Sequence, residues 1–195
     1  MLHEAQPGFM TSWPREGDSM SGKREQIVQA ALHLYRSQSI CRTSLKDVAE
    51  AANMPLGNLY YYFKSRDALL LAVLDSCERE LHTLLARLES LAPRIWLAAY
   101  FDWLIQSAQE RQSLSCPFGS LVTELRAIGE PAVSRGAEIV ARYQTEVSAR
   151  VAALEGPDPD AVFLTVQGAH TVASMLDDPA LFQRSIDRLR NDTLT

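Results

Sequence analysis

Apolar residues fall three and four positions apart along almost the whole of this chain from Ser21 onward, and no useful stretch alternates apolar with polar. Such spacing lays one apolar stripe along each helix, so the chain must fold by packing helix on helix. Ile27, Ala30, Ala31, Leu34 and Tyr35 form the first stripe, with Ser21 able to cap it. A second helix follows "RSQSICRTS", capped by Thr43 or Ser44, with Asp47 in its first turn where the helix dipole favours an acid. Leu45, Val48, Ala49 and Ala52 are its stripe. "NMP" interrupts it, and Pro55 suits the first position of a short third helix ending near Tyr62 or Phe63. Ser65 then caps a long fourth helix that runs toward Pro93. Further helices are expected over about 93–110, 117–127, 131–155, 159–176 and 179–191. Gly129-Glu130-Pro131, Gly156-Pro157-Asp158-Pro159 and Asp178-Pro179 punctuate them. The predicted fold class is all-α.

Composition narrows the function. No apolar run approaches the ~20 residues of a membrane span, and residues 1–20 lack the basic start and apolar core of a secretory signal. That stretch reads as a mobile tail, and translation could equally start at Met20. A cytoplasmic protein without membrane association is the expectation. Cys41, Cys77 and Cys116 are odd in number and show no metal-ligand spacing, so neither a metal nor a cofactor is expected. Net charge is −5, yet residues 21–66 carry seven Lys/Arg against three Asp/Glu. A basic segment on an acidic body suggests one face for an anionic polymer.

Within Thr43–Leu74 the spacing fits a helix-turn-helix. Ala49 stands where the two helices come closest, and Asn53 stands four residues on, at the turn that needs a left-handed backbone. Val48, Ala52, Met54, Leu59 and Tyr62 supply apolar contacts at the spacings that close the unit. Taken together, "TSLKDVAEAANMPLGNLYYYFKSRDALLLAVL" resembles the N-terminal domain of the TetR family of bacterial transcriptional regulators. The match runs through Thr43 or Ser44, Val48-Ala49, Ala52, Gly57, Leu59-Tyr60, Tyr62-Phe63 and Arg66, and Asn53 replaces the usual turn glycine.

The resemblance implies residues 21–66 as a DNA-binding domain and 67–195 as a larger helical domain for effector binding and dimerisation. Tyr62 and Phe63 should pack inward, leaving Tyr60 and Tyr61 toward the DNA backbone. Pro55, Leu56, Gly57 and Asn58 would enter the major groove, where Asn58 can pair with adenine. Thr43, Ser44, Lys46, Tyr60, Tyr61 and Lys64 would face phosphates. The partners implied are a double-stranded, palindromic operator, a second copy of the chain and a small-molecule effector.

The body carries no comparable fingerprint. Trp96, Tyr100, Trp103, Phe118 and Tyr143, with Cys116 and His170, are candidates for an effector pocket, although aromatic stripes also build cores. Cys116 before Pro117 can be a small buried residue or a thiol activated at a helix N-terminus. Phe163, Val166, His170, Ala173, Phe182, Ile186 and Leu189 are candidates for a dimer interface, and the same faces could instead close the monomer's core. The function expected is a repressor released by an apolar or electrophilic effector, not an enzyme. The alternatives are a sensor of the same fold acting through Cys116, or a helical protein-interaction module without DNA binding.

Overall fold

The computed structural model describes residues 20–110, 119–154 and 158–194. Among these residues the chain is a succession of α-helices: α1 (Met20–Gln38), α2 (Leu45–Ala51), α3 (Leu56–Tyr62), α4 (Arg66–Leu88), α5 (Pro93–Glu110), α6 (Gly119–Ala127), α7 (Val133–Ala152), α8 (Pro159–Leu176) and α9 (Pro179–Leu194). No described helix is long and apolar enough to cross a membrane.

The helix starts follow local chemistry. Ser44 caps α2 in a reciprocal box: its side chain accepts from the Asp47 N–H, and the Asp47 carboxylate accepts from the Ser44 N–H at 2.8 Å. The Ser44 N–H and the Ser44 hydroxyl, both donating to it, hold the Asp47 carboxyl below its ordinary range. Ser65 caps α4 by accepting from the Ala68 N–H at 3.1 Å. Two helix starts differ from expectation. Backbone helix begins at Met20, so Ser21 lies inside the first turn of α1, and Pro55 is the N-cap of α3 with extended ψ instead of its first helical residue. The expected 131–155 helix is shorter, Val133–Ala152, and the last runs to Leu194.

Asn53 is left-handed at φ 51°, as the turn between α2 and α3 requires. Ala49 and Leu59 are buried at 1% and 0% exposure, which closes the two short helices on each other. Phe63 completes the unit from below, beneath the Arg24 guanidinium 4.8 Å from its ring. α1 packs against both α2 and α4, so α4 carries the three-helix unit into the body. There α5, α7, α8 and α9 pack around Trp96, Tyr100, Val147, Phe163 and Phe182, and the core is continuous with that of α1–α3. Gly136 lets α6 lie close on α7, because a Cβ there would meet Val122 Cγ2 at 2.5 Å.

Candidate nucleic-acid interface

The outward face of α3 begins with Pro55, Leu56, Gly57 and Asn58, all exposed, and ends with Tyr60 and Tyr61 at 44% and 62% exposure. Leu59 and Phe63 point the other way and are buried, with Tyr62 half-buried between the two sides. This divides the aromatic run as its helical phase dictates, since consecutive residues are about 100° apart on a helix. Tyr61 stands edge-on to Tyr62 with ring centroids 5.3 Å apart, and the Lys64 ammonium lies 5.6 Å from the Tyr61 ring. Nothing lies within 4 Å of where a Cβ on Gly57 would sit, so the backbone there is open to close approach.

Ser44 and Lys46 lie exposed at the start of α2, with Lys46 in a loose pair to Glu50 at 3.7 Å. Thr43 does not join them. It is 3% exposed, its hydroxyl donates to the Ser39 carbonyl at 2.7 Å, and Gln38 Nε2 donates to that hydroxyl at 3.3 Å. A phosphate cannot reach a hydroxyl folded into the loop, so Thr43 leaves the set of phosphate contacts. Arg42 beside it is exposed and basic, a candidate that motif matching passed over.

In the body, the aromatic residues expected to line a pocket form a ladder. Trp96 stacks on Tyr100 at 5.3 Å, Tyr100 on Trp103 at 6.4 Å, and the Tyr100 and Tyr143 hydroxyls hydrogen-bond to each other. Trp96 and Tyr100 are 1% and 0% exposed. They are core, not cavity wall. A cleft of about 280 Å³ opens instead between α4 and α7, floored by Leu81, Leu85, Ile139 and Tyr143 and edged by His82 and Arg150. Of the expected pocket residues Tyr143 alone lines it, with Trp96 behind, 5.7 Å from the Arg150 guanidinium, while Trp103 lines a second cleft of about 530 Å³ beside Gln29, Ser76 and Arg79. Cys116 and Phe118 lie outside the described residues. Among those described, no three His, Cys, Asp or Glu side chains gather as metal ligands.

The expected dimer residues are also reassigned. Phe163, Val166, Ala173, Phe182 and Ile186 are buried inside the single chain, Leu189 packs on that core, and His170 lies against the Phe182 ring at 4.9 Å. A helix cannot offer one side chain to two partners. The other side of α8 is open: Leu164, Val172, Met175 and Leu176 are 62%, 46%, 78% and 65% exposed, and Gly168 has open space above it.

Burial lowers His170 to about 4. Because its folded value lies below the unfolded one, protonation favours unfolding: the stability is intact above about pH 6.5 and is lost as pH falls toward 4. At most about 3 kcal/mol is involved, at about 1.36 kcal/mol per pH unit. Unfolding titrations of His170→Gln should show a shallower loss over this window than those of the parent chain. Identical slopes would remove His170 as a source of acid sensitivity.

A buried hinge between two short helices, a left-handed turn and an exposed second helix flanked by bases define a helix-turn-helix DNA-binding protein. Comparisons with known proteins agree. Residues 27–73 match the family model for bacterial regulatory proteins of the tetR family. An HTH-type transcriptional regulator encoded in the lacX 3′ region of Lactococcus lactis subsp. lactis is 26% identical over 185 residues, covering 88% of this chain and 93% of its own. The regulator TtgR of Pseudomonas putida is 39% identical over 64 residues, 33% of this chain and 30% of its own. A TetR-family regulator structure from Agrobacterium tumefaciens superposes with a TM-score of 0.79 at 18% identity, over 88% of this chain and 97% of that one. Over residues 27–73 the chain matches the DNA-binding segment of tetR-family regulators, and its helical fold is that of solved TetR-family structures. The comparisons point to a DNA-binding transcriptional regulator.

Proposed function

We propose that the chain acts as a homodimeric repressor that reads a palindromic operator through α3 and leaves it when a small apolar or electrophilic molecule binds the body. The observation that carries the DNA-reading part is the exposed pair Tyr60 and Tyr61 beside Lys64, large rings that the chain's own core does not use. Asn58 is the base reader, approaching an adenine while Gly57 lets the backbone close in. Ser44, Lys46, Tyr60, Tyr61 and Lys64 hold phosphates. Residues 21–66 form the reading domain, and 67–195 bind the effector and the second copy. The mate lies along Leu164, Gly168, Val172 and Met175 of α8, and the α4–α7 cleft is the candidate effector site. A route through the Cys116 thiol is tested by Cys116→Ser, which should abolish any response to electrophiles that depends on it.

The reading is tested by gel-shift titration against duplexes selected from a random library. Asn58→Ala should lose about 1–3 kcal/mol of preference for the selected base while leaving random DNA unaffected. Lys64→Ala should weaken selected and random duplexes alike and flatten the salt slope by about 0.9 for each phosphate it no longer neutralises. Equal effects of Asn58→Ala on selected and random DNA would remove it from base reading. A protein-interaction module would tolerate both changes.

A further inference from the structure

Ile40 lies in the link between α1 and α2, with its side chain fully buried. Both polar groups of its backbone are held by side chains distant in sequence. Its N–H donates to Glu124 Oε2 of α6 at 2.7 Å, and its carbonyl accepts from Arg66 Nη2, at the start of α4, at 2.7 Å. Arg66 Nε stands 3.7 Å from Glu130 Oε1 in the turn after α6. The residue before, Ser39, is left-handed at φ 81°, and its carbonyl accepts from the Thr43 hydroxyl. Tyr35, buried beside Arg66 and Glu130, has its phenol pushed up to about 12, chiefly by burial, so it remains a neutral neighbour.

The starts of α2 and α4 do not require these bonds. α2 is capped by Ser44 and α4 by Ser65. A hydrogen bond from a backbone amide to a carboxylate is among the stronger kinds, and this one joins α6 to the link that runs directly into α2. α1 is attached to α4 by apolar packing and by Gln29 on Ser76, Arg79 on Glu25 and Arg36 on Glu80, contacts that hold α1 along its own length. The bond from Glu124 adds a directional restraint from α6 at the link into α2 itself.

We propose that Glu124 is a positioning residue for DNA reading: through Ile40 it sets the angle at which α2 and α3 leave the body, and so the spacing of the two recognition helices in the dimer. This rests on the dimeric reading above, since spacing has meaning only for two half-sites. Glu124 touches no DNA.

Two measurements test it together. Amide exchange of Ile40, followed without DNA, should accelerate by roughly tenfold or more in Glu124→Ala and stay protected in Glu124→Gln, whose carbonyl still accepts. Binding is then compared between the selected palindrome and duplexes with one base pair added or removed at its centre. The parent chain should discriminate sharply among these spacings. Glu124→Ala should lose roughly tenfold of that discrimination while remaining folded at the assay temperature, and Glu124→Gln should restore it. Unchanged exchange in Glu124→Ala would overturn the bond to Ile40. Faster exchange with an unchanged spacing profile would overturn the positioning role while leaving the dimeric reading intact. A parent chain that selects no duplex, or reads single half-sites, would instead sink that dimeric reading and the role built on it.

Discussion

Met175→Glu is expected to yield a folded monomer that binds its operator about a hundredfold or more weakly than the proposed parent dimer. Met175 is 78% exposed in the single chain, so a carboxylate there meets water and folding is untouched. Its apolar neighbours on the same side of α8, Leu164, Val172 and Leu176, form a stripe that a solvent-facing helix rarely carries. In the proposed dimer a two-fold axis would place this stripe against itself, so one substitution would bury two like charges without partners, at several kcal/mol per ion. Two half-sites held by one dimer gain their affinity from effective concentration, and that gain disappears with the interface. Light scattering after size exclusion reads the mass, and gel shift reads the affinity. Gln183→Glu, on the exposed polar side of α9, is the control and should remain a dimer. Retention of the dimer by Met175→Glu would move the interface elsewhere. Val166→Asp would be a poor test, because Val166 is 1% exposed and its loss unfolds the chain before it separates the copies.

What can be read from the sequence follows from how far apart the deciding residues lie. The Ser44–Asp47 box, the left-handed Asn53 and the division of Tyr60–Phe63 between surface and core are decided within a few residues, and the one-dimensional pattern carries them. Thr43 is not readable in this way, because its hydroxyl is claimed by the carbonyl of Ser39, whose left-handed backbone no glycine or asparagine announces. α8 is apolar on two sides, and periodicity alone cannot tell which side meets α7 and α9 and which meets solvent. The body's aromatics resemble pocket lining since stacked rings serve cores and cavities alike; the cleft is instead marked by Leu81, Leu85 and Ile139, from helices far apart along the chain. Glu124 and Ile40 are separated by 84 positions and carry no motif, so only the folded chain joins them.

Trp96→Ala is expected to lower the unfolding free energy by about 3–5 kcal/mol, a large share of a small domain's total. Trp96 is 1% exposed, stacks on Tyr100 and lies under the Arg150 guanidinium, so truncation removes ring contacts on two sides and leaves a void that α5 and α7 must collapse to fill. Urea unfolding followed by circular dichroism measures the loss. Tyr61→Ala removes an aromatic ring too, but from a residue 62% exposed, and should change stability by no more than about 0.5 kcal/mol. The contrast separates two meanings of an aromatic stripe. A tryptophan kept for ligand contact is dispensable to the empty protein, and its removal leaves stability near the parent value. A tryptophan in the core is not, and Trp96→Phe should then recover part of the loss by refilling the space with a smaller ring. A stability unchanged by Trp96→Ala would return Trp96 from the core to the cavity wall.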